Sequence, residues 1–211
     1  MAVVSDTVEV RWFMTGPPPR VVSDWFLHAP VPAITESRAD LYLELADRDD
    51  MGVKVRAGTL LELKFRTGVH AELGLAEGFD GRVESWTKWG FALDPAEIGT
   101  GGGDPRWIRV EKKRRSRLYE VVTDGGSSRA MPSIERPGGS GCAAELVELR
   151  VGDHIAWGIG FEAFGTASDL RDVLVGGINA YVADTPLGSL EFGFRDSHSY
   201  PAFLSFWPPR D

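Results

Sequence analysis

Residues 38–66 read RADLYLELADRDDMGVKVRAGTLLELKFR, three short alternating runs separated by two polar turns. Leu41, Leu43 and Leu45 share one phase, continued by Val53 and Val55 and then by Leu61, Leu63 and Phe65. The other phase holds Tyr42 and Glu44, then Lys54 and Arg56, then Glu62, Lys64 and Arg66. Successive strand residues point to opposite faces, so this is a meander with one oily and one strongly basic face. A one-residue slip would throw the leucines into water, so the loop around Ala57-Gly58-Thr59 must hold an odd number of residues. A three-residue loop pairs Lys54 with Glu62. A five-residue loop pairs Arg56 with Glu62 and sets Lys54 opposite Lys64, at a cost of a few tenths to about 1 kcal/mol. The competing interpretation is an open antiparallel sheet whose basic face is merely solvated.

At 211 residues, 43% hydrophobic and 26% charged, the chain has the composition of a soluble globular protein. Its formal net charge of -8 argues against general attraction to nucleic acid or an acidic membrane, so an anion site must be a local concentration of cations. The single cysteine, Cys142, excludes an intrachain disulfide and a cysteine zinc cage, and fits a reducing cytoplasm. The start, MAVVSDTVEVRWF, lacks a basic region followed by an apolar core and predicts no signal peptide. No run approaches the roughly 20 apolar residues that span a bilayer.

Outward from the meander, Thr7–Phe13 alternates as a strand. Pro19 can open a helix reaching about Leu27, with Val22, Trp25 and Phe26 as its apolar side. Residues 82–92 fit either a strand or a short helix; 99–105 is a glycine-rich loop; 107–119 is a strand or strand pair. The Gly/Ser/Pro-rich stretch 124–141 predicts a long flexible insertion within one domain covering 1–211. Glu145–Val151 and Ile155–Phe164 are two further strands. In the second, Glu162 shares its phase with only Ala156, Gly158 and Gly160, which leaves room beside it for a ligand. Thr166 with Asp169 resembles a capping box ahead of a helix through Tyr181. A strand at 190–195 and a short piece with Phe203, Leu204 and Phe206 end the chain. So many short alternating strands predict a mainly β (α+β) fold. If the oily phases face outward under helices, the charged phases line a closed antiparallel eight-stranded barrel or tunnel.

In order along the chain come Glu9-Val-Arg11, Asp40-Leu-Tyr42-Leu, Val53-Lys-Val-Arg-Ala-Gly58, Leu61-Glu-Leu-Lys64, a basic strand with Lys112 and Arg114, then Glu148, Glu162 and Ser199-Tyr200. This series resembles the CYTH superfamily, the triphosphate tunnel metalloenzymes. The resemblance covers most of the chain and is best over 38–66. It implies an eight-stranded tunnel open at both ends, basic side chains gripping a triphosphate, and glutamates holding Mg²⁺ or Mn²⁺. Arg11, Lys54, Arg56, Lys64, Arg66, Lys112 and Arg114 are then the substrate-binding residues. Glu9, Glu148 and Glu162 are the catalytic, metal-holding carboxylates. The family's Glu-x-Glu-x-Lys signature has Thr7 and Arg11 in place of its first Glu and its Lys, and Gly160 and Phe164 flank Glu162 where a Glu-x-Glu pair is common.

The resemblance implies metal-dependent hydrolysis of an inorganic or organic triphosphate. The chemistry suits such residues, since phosphoryl transfer needs positioning and charge neutralisation more than covalent help. The alternative is a non-catalytic polyphosphate- or nucleotide-binding tunnel, motivated by the missing glutamates at 7 and 160. Adenylate cyclase ranks lower, because no base-recognition signature stands out. The expected partner is a small-molecule triphosphate or polyphosphate, with no nucleic acid or membrane and with a homodimer as a compatible assembly. Glu162 is expected to face Glu9 across the cavity and to stay ionised among cations. Lys112–Arg115 (KKRR) can equally be a solvated strand, and His28, His70, His154 and His198 are too scattered to make a site. Gly158-Ile-Gly160 is no dinucleotide fingerprint, and no Walker A motif is present.

Overall fold

The computed structural model describes residues 3–29, 31–45, 48–94, 107–124, 127–166, 169–186 and 188–208, without the side chains of 71–73. The loop at 99–105 lies outside the described residues, as does Asp47 of the first turn. Nine strands and three helices follow in order: β1 (Val3–Thr15), α1 (Arg20–His28), β2 (Ile34–Leu43), β3 (Met51–Arg56), β4 (Leu60–Ala76), β5 (Phe79–Ala92), β6 (Trp107–Asp124), β7 (Ser127–Ser133), β8 (Gly141–Val151), β9 (His154–Phe164), α2 (Leu170–Asp184) and α3 (Tyr200–Phe206). The strands run β2-β3-β4-β5-β1-β9-β8-β6, and β2 pairs with β6 to close the ring. The result is a closed eight-stranded antiparallel barrel, with β7 hung on the far half of β6.

The meander takes the three-residue loop. Lys54 pairs with Glu62 and Arg56 with Leu60, while Ala57 and Gly58 adopt positive φ in the turn. Asp40 faces Arg56 and Tyr42 faces Lys54 on the next strand pair. Residues 82–92 belong to a strand, since the Trp86 and Trp89 backbones pair with both β4 and β1.

The oily phases do face outward. One half of the wall is covered by helices. Val8, Val10 and Trp12 of β1, Ile159 and Phe161 of β9, and Leu146 of β8 pack in one cluster with Val22, Trp25 and Phe26 of α1 and with Val173, Leu174, Ile178 and Tyr181 of α2. Fully burying such side chains stabilises the fold by roughly 1.5–3 kcal/mol each. On the β3–β4 side Val53, Leu61, Leu63 and Phe65 are only half-buried.

Three local expectations need correction. Much of 124–141 is ordered, because β7 pairs along β6 from Leu118↔Ser133 to Asp124↔Ser127. α2 holds this hairpin down: Ser128 Oγ donates to Asp172 O, and Ser128 lies against Gly176. The cap of α2 is Asp169, which accepts from the Arg171 amide, not Thr166. Residues 190–195 form no named strand. Phe192 makes a single bridge to Phe79 and stacks on its ring at 5.2 Å, so packing rather than a ladder fixes this segment. Among the described residues no helix is long and apolar enough to cross a membrane.

Candidate functional site

The inward phases of the eight staves are densely charged. β1 contributes Glu9 and Arg11; β2 Arg38 and Asp40; β3 Lys54 and Arg56; β4 Glu62, Lys64 and Arg66; β5 Glu84 and Lys88; β6 Lys112 and Arg114; β8 Glu145; and β9 Glu162. A cavity of about 80 Å³ runs among them, lined by eight of these cations and by only three carboxylates, Glu62, Glu145 and Glu162.

The lumen is closed at one end. Phe13, Tyr42, Val110, Val147, Leu149 and Ala156 turn inward there and form a second core with Phe203, Leu204 and Trp207 of and just beyond α3. Phe13 stacks on Phe203 at 4.6 Å and meets Tyr200 edge-on at 4.9 Å. α3 is therefore a plug, and the expectation of a tunnel open at both ends is corrected to a blind barrel with one mouth. Exposure follows the same axis. The side chains of Asp40, Lys112 and Glu9 are 0–2% exposed, whereas Arg56 reaches 36% and Glu36 46%.

Each inward carboxylate is gripped by cations. Glu145 accepts from Arg11 Nη1 at 3.0 Å and from Arg114 Nε at 2.6 Å. Burial alone would raise its pKa, but Arg114 and Arg11 outweigh burial and bring it down to about 2. Glu162 accepts from Lys88 at 2.7 Å and Arg11 at 3.2 Å. Its burial is likewise overcome, by Lys88, Lys64 and Arg11, so it stays ionised as the sequence predicts. Glu62 bridges Lys54 at 2.9 Å and Arg56 at 3.0 Å. Glu9 accepts from Lys64 at 2.6 Å. Burial and the neighbouring Arg56 pull Lys54 down to about 8, against the opposing pull of Glu62 and Asp40. Excess positive charge in a largely buried lumen is costly, and an entering anion relieves it.

The expected site residues fare unequally. Arg11, Lys54, Arg56, Lys64, Lys112, Arg114 and Glu162 converge on the cavity, with Glu9 directly beside it. Arg66 is also inward but is spent on Glu84 at 2.9 Å and on Asp49 at 2.9 Å. Lys112 is locked at the blind end, donating to the Tyr42 hydroxyl at 2.5 Å and lying 3.3 Å from Asp40.

Glu148 does not join them. Its partners are Lys113 and Arg115, on the opposite phase of β6 from Lys112 and Arg114, so it lies on the outer wall. The inward acid of β8 is Glu145. Glu162 does not face Glu9 across the cavity either: the two are direct neighbours on β9 and β1, with Glu84 next in the row on β5. Nor do Gly158 and Gly160 leave room for a ligand. A Cβ on Gly160 would come within 2.9 Å of the Arg11 side chain, and one on Gly158 within 2.7 Å of the Phe13 ring, so β1 already fills that space. Arg38, Lys88 and Glu145 were missed. Phase could have found only Arg38, four residues from Tyr42 on its strand; Glu145 lies an odd three residues from Glu148, and the sequence assigns no residue of β5 inward.

Whether a divalent cation fits is decided by the donor set. Among the described residues no group of three or more His, Cys, Asp or Glu side chains is placed to hold one. Glu9 and Glu162 are adjacent, and Glu9 Oε2 makes no hydrogen bond. That suffices for Mg²⁺ only in the mode in which one or two carboxylates share it with substrate phosphates.

No protein-family model matches the chain, and no curated protein matches it.

Proposed function

We propose that the lumen binds the phosphate chain of a small-molecule triphosphate, or of polyphosphate, and serves its metal-dependent hydrolysis. The observation that carries this reading is the excess of cations in one cavity, eight against three lining carboxylates, with Glu9, Asp40 and Glu36 beside it offsetting only part of that excess. A linear polyanion matches that pattern, because it offers several charges in a row to guanidinium forks and ammonium groups on facing staves. The closed antiparallel barrel with a charged lumen also supports kinship with the CYTH tunnels. In this reading Arg11, Lys54, Arg56, Lys64, Lys88 and Arg114 exchange their carboxylate partners for phosphate oxygens. Glu9 and Glu162 would hold Mg²⁺ or Mn²⁺ together with those oxygens, and the metal supplies charge neutralisation. A cytoplasmic setting accords with the one free, buried cysteine.

A second reading, a non-catalytic polyphosphate binder, is favoured by the outward position of Glu148 and by the lack of a ready metal cluster among the described residues. Calorimetry and phosphate-release assays with tripolyphosphate, thiamine triphosphate and ATP, each with and without Mg²⁺ or Mn²⁺, separate the two. Metal-dependent turnover that Arg56→Ala weakens by a hundredfold or so, as for other lost electrostatic donors, supports the enzyme. Tight binding without turnover supports the binder. Absence of both refutes the lumen as a phosphate site.

A further inference from the structure

Tyr200 is the one residue of α3 that both lines the charged cavity and brings a polar group to it. Its ring is fixed from several sides. Phe13 meets it edge-on at 4.9 Å, Tyr42 stacks on it at 5.9 Å, and the Lys112 ammonium sits 4.0 Å from its centre. Arg11 lies 5.3 Å from the same centre. Yet its hydroxyl, buried from solvent, has no hydrogen-bond partner. An unmade hydrogen bond on a buried hydroxyl costs of the order of 1–3 kcal/mol, so a rigidly held ring with an orphaned hydroxyl is an arrangement that a ligand completes. The hydroxyl lies in the field of Glu145, Arg11 and Arg114, all of which line the cavity. Burial, with Glu145, raises its pKa well above the ordinary value, so it remains a proton donor throughout the physiological range.

We infer that Tyr200 is part of the anion site, donating its phenolic hydrogen to the innermost oxygen of the bound anion and so coupling occupancy of the lumen to docking of the α3 plug. This rests on the phosphate-binding reading above and deepens it. The blind end is then a terminus-reading device, able to seat the end of a phosphate chain but not its middle. Lys112 is a positioning residue in this scheme. It is saturated by Tyr42, Asp40 and the two rings, and it orients Tyr200 instead of gripping phosphate.

The test is Tyr200→Phe, measured by calorimetry with tripolyphosphate and by hydrogen exchange of the 200–206 amides with and without that ligand. Removing an unpaired buried hydroxyl should raise the ligand-free unfolding midpoint, or at least not lower it, and should not speed the ligand-free exchange of α3. The dissociation constant should rise about tenfold or more, the scale of a lost hydrogen bond to a charged group, and the ligand-induced protection of α3 should disappear. Unchanged affinity in Tyr200→Phe, with wild-type protein binding normally, overturns this inference alone. Faster α3 exchange in the ligand-free variant assigns Tyr200 a purely structural role and also overturns it. If wild-type protein binds no tripolyphosphate, the phosphate-site reading falls, and this inference with it.

Discussion

Glu145→Gln removes one negative charge from a buried pairing inside the barrel while nearly preserving shape. Glu145 is 5% exposed and bonded to both Arg11 and Arg114. Its pKa falls from an ordinary 4.5 to about 2, despite the burial that opposes the fall. At roughly 1.4 kcal/mol per tenfold, the ionised form contributes about 3 kcal/mol to stability. Breaking a buried pair by removing one partner costs roughly 3–5 kcal/mol. Arg11 retains Glu9 and Glu162, and Arg114 retains Glu36, so the lower figure applies. The sign follows from the direction of the displacement. A carboxyl held low in the folded state gives its full stabilisation above about pH 4.5 and loses it as pH falls towards 2. Urea unfolding of wild type and variant, repeated from pH 7 to about 2, should show a gap of about 3 kcal/mol that closes over that window. Distant carboxylates titrate in both proteins and cancel in the difference, whereas Glu162 and Glu36, which share Arg11 and Arg114 with Glu145, alter the size of the gap but not its sign. A gap below about 0.5 kcal/mol at pH 7, or one that stays constant down to pH 2, refutes the reasoning.

Glu148→Gln, on the outer wall, should change unfolding by no more than about 0.5 kcal/mol and leave tripolyphosphate affinity as it is; a large loss in the same calorimetry would return Glu148 to the site. Gly158→Ala would drive a Cβ to 2.7 Å from the Trp12 carbonyl oxygen and the Phe13 ring, and should cost about 1–3 kcal/mol by urea titration, since the obstructing atoms include backbone. Lys54 loses its charge above about pH 8. Tripolyphosphate affinity should therefore weaken several-fold between pH 7 and 9, and Lys54→Arg, which stays charged, should abolish that fall in the same titrations.

How much of this was legible depends on how cleanly each stave alternates. Over 38–66 one phase faces the half-covered outside and the other the lumen, so Lys54, Arg56 and Lys64 could be placed by parity alone. β8 defeats parity. Leu146 packs outward against the helices while Val147 and Leu149 pack inward against the plug, so both phases are apolar and nothing local ranks Glu145 above Glu148. β5 hides Lys88 for a related reason: Trp86 is inward and Trp89 outward, and the three-residue spacing imitates a helix. Gly158 and Gly160 look like vacancy in one dimension, and only the β1–β9 register shows that Phe13 and Arg11 occupy it. The plug was illegible because Phe203, Leu204 and Trp207 acquire their role from closure of the ring, a contact between parts of the chain far apart in sequence.

That ring is stitched in an order with consequences for how the chain is made. β1, the first stave synthesised, lies between β5 and β9, and the deep carboxylates on β8 and β9 neutralise Arg11. A nascent chain that has emerged only as far as β6 can seat β1 on β5 but leaves its other edge unpaired and Arg11 with Glu9 alone. Topologies that defer closure to distant partners fold slowly and expose strand edges while they wait. During that wait the emerging protein is most open to aggregation. The same vacant slot beside β1 would accept a β9 from a neighbouring chain, so strand exchange between copies during synthesis is the misassembly this topology favours.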